Sequence, residues 1–298
     1  MSGPSFLVLE DRGLLAVAGE DRRTFLQGLI SNDIAKATAA HAIYASLLTA
    51  QGRFLHDFFI TELGDGFYID AERARLDDLR RRLSLYRLRS KVTLSVATDQ
   101  FASVALFGAG ALGSLRLSPE PGHATGFGGG IAYVDPRLAA LGARAIVPRA
   151  EIDAIAGRGF TAATREDYER LRLSLGVPDG SRDLSVEKAL LLENGFDELH
   201  GVDWKKGCYV GQEVTARMKY RSLVKKQLMP VRIDGDAPQP GTPILLDGEE
   251  AGEMRSALAD HGLALLRLDI VERADREGRR LTAGTASLTP FKPAWAQS

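Results

Sequence analysis

The chain has 298 residues, of which 45% are hydrophobic and 26% charged; its net charge is −1 and it contains a single cysteine. This is globular composition with ample material for a core, which excludes a disordered polyelectrolyte and argues against nucleic-acid binding through bulk charge. No apolar stretch approaches a membrane span and no basic-then-apolar leader opens the chain, so with one free thiol the expectation is a reducing compartment, the cytoplasm, with no membrane or nucleic-acid partner.

In chain order, Phe6 to Ala18 alternates as a strand does, and Asp21 to Ile30 reads as a short helix capped by Asp21. Ile43 to Leu48, Phe54 to Leu63 and Phe67 to Asp70, separated by turns at Thr49 to Arg53 and Gly64-Asp65-Gly66, form an antiparallel meander. A basic helix follows, with Leu76, Leu79, Leu83 and Tyr86 at helical spacing, and Arg73, Arg75, Arg80, Arg81, Arg82, Arg87, Arg89 and Lys91 falling outside that stripe. Lys91 to Val96 and Ser103 to Phe107 are further strands. The class is therefore α+β with antiparallel sheet.

Gly108-Ala109-Gly110-Ala111-Leu112-Gly113 matches a dinucleotide fingerprint, but Pro119 and Pro121 prevent the sustained helix that such a unit needs, and the next strand is expected after a Gly126 to Gly130 loop. Five scattered histidines lack zinc spacing. From Thr164 an amphipathic helix runs to Gly176-Val177-Pro178, and Asp179 to Asp183 is a polar stretch. After Leu228, short strands at Val231 to Ile233, Ile244 to Leu246, Glu253-Met254 and Leu263 to Arg267 alternate with turns, the texture of a small β-barrel. The domains expected are residues 1–226, as two subdomains, and a barrel over 227–298.

The chemistry concentrates around Cys208, within Lys205-Lys206-Gly207-Cys208-Tyr209-Val210-Gly211-Gln212-Glu213. A lone thiol can be a packed residue, a nucleophile, a redox group or one ligand of a shared site. Two preceding lysines would stabilise a thiolate, two glycines leave its approach open, and a helix starting at Gln212 would add its positive end. In the strand from Phe54, either Asp57 or His56 must face a core or pocket, where a ligand N–H, a backbone group or an arginine would satisfy it. Glu187, Glu193, Asn194 and Asp197 upstream of the thiol are either heteroaromatic-ring readers or loop caps.

Lys206-Gly207-Cys208-Tyr209-Val210-Gly211-Gln212-Glu213, with Ala216-Arg217, resembles the signature of YgfZ-type folate-binding proteins, relatives of the glycine-cleavage T-protein, an aminomethyltransferase. Phe25 to Gly28 with Ser31-Asn32-Asp33, Leu48 to Arg53 with Asp57, Arg170 with Gly176-Val177-Pro178 and Asp183, and Gly252 to Leu268 resemble other family segments in the family's order. The resemblance implies a T-protein-like ring of subdomains with antiparallel sheets and a C-terminal barrel, binding tetrahydrofolate or a derivative. It also implies work on iron–sulfur proteins, especially those with [4Fe–4S] clusters, whose client or assembly proteins would be the partners.

Carried over by position, Cys208 becomes the functional thiol, with Lys206, Gly207, Tyr209, Gly211, Gln212, Glu213 and Arg217 as its motif. Asp57, Glu193 and Asn32 become folate contacts. No intrinsic metal site is implied, Cys208 serving at most as a transient ligand. The alternative is a tetrahydrofolate-dependent aminomethyl or one-carbon transferase; His56-Asp57, where T-proteins carry paired aspartates, and the cysteine signature itself weigh against it. Ser222 stands where relatives carry glycine, and Leu190 to Leu192 replaces a proline-containing stretch.

Overall fold

A computed structural model describes residues 3–221 and 224–296; Ser222 lies outside them. Contacts divide the chain into two compact units, each discontinuous in sequence: residues 1–50, 55–165 and 199–212 make the first, and residues 51–54, 166–198 and 213–298 the second.

The first unit opens with β1 (Ser5–Val8) and β2 (Arg12–Ala18), followed by α1 (Arg22–Gln27), β3 (Ile43–Leu48), β4 (Phe54–Leu63), β5 (Gly66–Glu72), α2 (Leu76–Arg87), β6 (Thr93–Val96) and β7 (Phe101–Phe107). It continues through α3 (Ala111–Ser114), β8 (Ala124–Phe127), β9 (Gly130–Val134), β10 (Ala143–Pro148) and the two-residue β11 (Thr161–Ala162). Two sheets result. A five-stranded sheet has the order β3-β4-β5-β2-β6, and a six-stranded sheet the order β11-β1-β7-β10-β9-β8. Apart from β1 against β11, every pairing with a stated register in them is antiparallel.

The single strand expected over Phe6 to Ala18 is two. The amide of Arg12 donates to the Leu9 carbonyl at 3.0 Å, closing a turn through Glu10 and Asp11, and the halves join different sheets. Alternation of apolar residues cannot reveal this, because both halves keep period two. Asp21 does not cap α1: its carboxylate accepts the Lys91 amide at 2.7 Å instead. In α2, Leu76, Leu79 and Leu83 are buried as expected, but Tyr86 is exposed.

The glycine fingerprint leads into α3, a single turn, so the dinucleotide reading fails on local geometry as the prolines indicated. Gly108 serves packing: at φ 89°, a Cβ there would lie 2.4 Å from the Gly3 carbonyl. The glycines after Gly126 form a hairpin rather than a loop. Gly128 and Gly129, both at positive φ, make a two-residue turn that sets Phe127 opposite Gly130.

In the second unit α4 (Arg165–Ser174) leads to α5 (Gly180–Asp183), a turn of helix where a polar stretch was expected, and later to α6 (Gln212–Arg221). Then come β12 (Lys226–Asp234), β13 (Pro243–Leu246), β14 (Glu249–Leu258), β15 (His261–Arg267), α7 (Leu268–Glu277), β16 (Leu281–Ala283) and β17 (Ala286–Pro290). The six strands close a barrel in the order β12-β15-β14-β13-β16-β17. Its interior is filled by Val231, Ile244, Leu246, Met254, Leu266 and Leu288, among others. The helix α7 between β15 and β16 was not expected.

Amphipathic α4 also buries charge. Arg172 is buried, donating to Glu169 at 2.8 Å and to Asp183 at 2.7 Å, while Ser256 of β14 donates to the other Asp183 oxygen at 2.5 Å. Three ionised groups in a core are tolerable only when mutually paired, as they are here.

Candidate functional site

Cys208 is exposed, in a loop of the first unit that ends four residues later, where α6 begins. What holds that loop is a run of contacts to the segment from Gln27 to Asn32. Asn32 donates its amide protons to the carbonyls of His200 and Tyr44, both at 2.8 Å, and the Ser31 hydroxyl donates to the Gly201 carbonyl at 2.6 Å. The amides of Asp203 and Val210 donate to the carbonyls of Ser31 and Gly28, and the Gln27 side chain donates to the Lys206 carbonyl at 3.1 Å.

Lys206 completes the clamp. Its ammonium donates to the carbonyls of Gln27 and Ile30, each at 2.6 Å, at the C-terminal end of α1 where orphan carbonyls collect. It also lies 5.0 Å from the centre of the buried Tyr209 ring. Burial pushes its pKa down to about 8, against the pull of Asp33 and Asp203. This corrects the expectation that both lysines serve the thiolate: Lys206 is committed to backbone and ring. Lys205 is exposed and has no ion pair among the described residues.

Gly207 and Gly211 flank the thiol at φ 91° and 83°, conformations that favour glycine. Downstream, the Tyr209 amide donates to the Gln212 side-chain oxygen at 3.2 Å, which turns the chain into α6. In the second unit, Glu213 and Arg217 form an exposed i, i+4 pair along α6. The glycines thus shape the loop, Lys206 and Tyr209 seat it, and the sulfur is left facing solvent.

Asp57 lies buried on β4. One of its oxygens accepts the Tyr44 hydroxyl at 2.8 Å, and burial followed by the Asp57 charge raises the Tyr44 pKa far above normal, keeping it a donor. His56 points to the opposite face and meets Asp78 of α2 at 3.0 Å. Phe59, two residues beyond Asp57 on the same face, is surrounded by guanidinium groups: Arg144 at 4.1 Å, Arg137 at 4.9 Å and Arg12 at 5.5 Å from its ring centre. Arg12 and Arg144 both bind the buried Asp70, and Arg137 binds Asp135 at 2.8 Å. Burial alone would raise the Asp70 carboxyl, but the two arginines and the Ser103 hydroxyl hold it at about 2.

This cationic frame was not legible from the sequence, although one signal was present. Asp135-Pro136-Arg137, a charged pair within an otherwise apolar run, has no reason to be there unless it is buried and paired.

Asn32 lines a cleft of about 320 Å³ with Lys36, His41, Tyr44, Glu120 and His200. Its amide group is fully spent on the two backbone carbonyls, so it acts as a clip between β3 and the cysteine loop. Glu193, in the second unit, contrasts with it. It is half-buried in a short turn of helix with no hydrogen bond or ion pair among the described residues, and burial raises its pKa despite Lys226 and Arg53 nearby. A carboxylate so placed fits a ligand bearing N–H groups. Among the described residues, no three or more His, Cys, Asp or Glu gather as a metal site, and no helix is long and apolar enough to cross a membrane.

Comparison with known proteins adds an independent line. A family model described as the GCVT N-terminal domain matches residues 10–117, and one described as the CAF17 C-terminal beta-barrel domain matches residues 225–298. The mitochondrial iron–sulfur cluster assembly factor IBA57 of Homo sapiens is 34% identical over 277 residues, covering 87% of this chain and 76% of that protein. Its Mus musculus counterpart is 30% identical over 292 residues, covering 89% and 78%. Among solved structures, the glycine cleavage system aminomethyltransferase T of Bartonella henselae superposes with a TM-score of 0.78 over 98% of this chain and 86% of its own, at 14% identity, a likeness of fold.

Proposed function

Because the chain belongs to the IBA57/CAF17 (YgfZ-type) family of iron–sulfur cluster assembly factors within the T-protein superfamily, we propose that it binds tetrahydrofolate and serves the assembly or repair of iron–sulfur proteins, especially [4Fe–4S] proteins, through Cys208. The observation that carries this reading is an exposed thiol on a loop clamped from both sides by Lys206, Gln27 and Asn32. An inert structural cysteine would be buried. A single thiolate is too few ligands for a [4Fe–4S] cluster, so a cluster held here as cargo draws its remaining thiolates from a client or assembly partner. The fixed loop presents the sulfur at a defined position, while the open glycine flanks admit the partner.

For the folate, Glu193 is the stronger acceptor on this chain, because its carboxylate has no protein partner to give up. Asp57 already accepts from Tyr44, so its part is to hold that tyrosine as well as to receive a ligand N–H. Folate supplies the ability to carry one-carbon groups; which use is made of it distinguishes this reading from aminomethyl transfer.

Isothermal titration with tetrahydrofolate is the test. Glu193→Ala should weaken binding about tenfold to hundredfold, the loss of a hydrogen bond to a charged group, while Cys208→Ala should keep wild-type affinity. Cys208→Ala should nonetheless abolish support of a [4Fe–4S] enzyme in cells lacking the protein. Full enzyme activity in that variant overturns the role of the thiol, and turnover of an aminomethyl donor that needs Asp57 but not Cys208 would establish the transferase instead.

A further inference from the structure

The five-stranded sheet ends at β6, which pairs with β2 alone; Leu15 stands opposite Val96 and Ala18 opposite Thr93. Thr93, Ser95 and Val96 are exposed, and among the described residues no backbone group meets the strand's outer side. Folded proteins guard such edges with charges, proline, a bulge or a covering segment. The sequence Thr93-Leu94-Ser95-Val96 has no charge or proline, and its pairing runs without a register shift.

The residues leading into this edge are as unguarded. Leu85 is 66% exposed, Tyr86 45%, Leu88 89% and Val96 43%. Of the five large apolar side chains left exposed among the described residues, only Tyr220 lies elsewhere, so this is a concentration and not scattered exposure. Leu88 ends α2 at φ 41° and ψ −111°, a strained conformation for a residue with a side chain. Burial returns nothing against that strain.

The charge is asymmetric as well. Arg80 pairs with Asp77, Arg81 and Arg82 pair with Asp78, and Lys91 pairs with Glu20. The side chains of Arg87 and Arg89, on either side of Leu88, have no ion pair or hydrogen bond among the described residues, and Arg89 and Leu88 line a shallow depression with Asp21 and Ser90. The free positive charge therefore sits beside the bare strand edge.

We propose that this face receives an extended segment of a partner protein, alternating apolar and acidic residues, which adds to β6 as a further antiparallel or parallel strand. Its backbone completes the edge, its apolar side chains cover Leu88 and Val96, and its carboxylates meet Arg87 and Arg89. An anionic membrane would answer the arginines and leucines but offers no ordered backbone to an open strand, so the edge decides for a peptide.

The test uses the full-length protein and a labelled probe peptide, acetyl-Asp-Val-Glu-Val-Asp-Val-Glu-amide. Saturable binding by fluorescence anisotropy is expected, with slowed amide exchange at Thr93 to Val96. The double variant Arg87→Glu, Arg89→Glu, at exposed positions that leave the core intact, should bind at least about tenfold more weakly. The same peptide N-methylated at alternate residues, which cannot form a ladder, should not bind. No saturation, equal affinity for the N-methylated peptide, or equal affinity of the charge-reversed variant each overturns the proposal. So does association with phosphatidylcholine–phosphatidylglycerol vesicles by a protein that ignores the peptide.

Discussion

His56 and Asp57 are adjacent, and their fates show what one residue of offset means in a strand. Asp57 turns towards Tyr44 and the face carrying Phe59, whereas His56 turns towards α2 and meets Asp78. Burial, then the Arg75 charge, push the His56 pKa from 6.5 to about 4, against the opposing pull of Asp78. The unfolded chain therefore binds a proton below pH 6.5 that the folded chain refuses until about pH 4. The corresponding stability is complete above the unfolded value and drains away as pH falls through that window, by up to about 3 kcal/mol. His56→Asn should flatten the dependence of urea-unfolding free energy on pH between about 7 and about 5. A variant that loses stability as steeply as the parent would show that other groups carry the acid sensitivity.

Elements were legible where periodicity was unambiguous. Ile43–Leu48 and Phe54–Leu63 fall where alternation and turn residues put them, and the apolar stripe of α2 is buried through Leu83. Reading failed where a tertiary partner outbid a local one, as when the Lys91 amide took the Asp21 carboxylate, or where two elements shared one period, as in β1 and β2. The candidate site followed the same rule. The cysteine loop announced itself through its glycines and lone thiol, but its clamp depends on Gln27, Ser31 and Asn32, 168 to 179 residues earlier, a separation no local pattern reports. In α4, helical spacing could not foretell that Arg172 is core. Its removal leaves Glu169 with Arg182 as its remaining cation and Asp183 with only the Ser256 hydroxyl and the Asp179 amide. Arg172→Ala should cost about 3–5 kcal/mol in chemical denaturation, the range for removing one partner of a buried ion pair. A cost under about 1 kcal/mol would mean that the contacts of Arg182, Ser256 and the Asp179 amide already suffice.

At the scale of the whole molecule, both units are assembled from segments far apart in the chain, and this ties the architecture to many long-range contacts and slow, late closure. The barrel is the exception, because its strands are contiguous from Lys226 and its closure leaves no free edge. The T-protein-like fold is kept at 14% identity to the aminomethyltransferase. β1 cannot meet β11 until residue 161 has been made, and the first unit lacks its last piece until residues 199–212 arrive. That piece carries Cys208. During synthesis, then, the strands of both sheets precede the loop, and Gln27, Ile30 and Asn32 gain their partners at Lys206 and His200 only once it arrives. Nascent chains stalled before residue 199 has cleared the ribosome should remain protease-sensitive around Gln27 to Asn32, and those stalled after residue 212 should become resistant. Equal resistance in both would mean that the clamp adds nothing to the order of its foundation. The reactive group is thus made after every strand of the two sheets and before the barrel, whose first strand begins at Lys226.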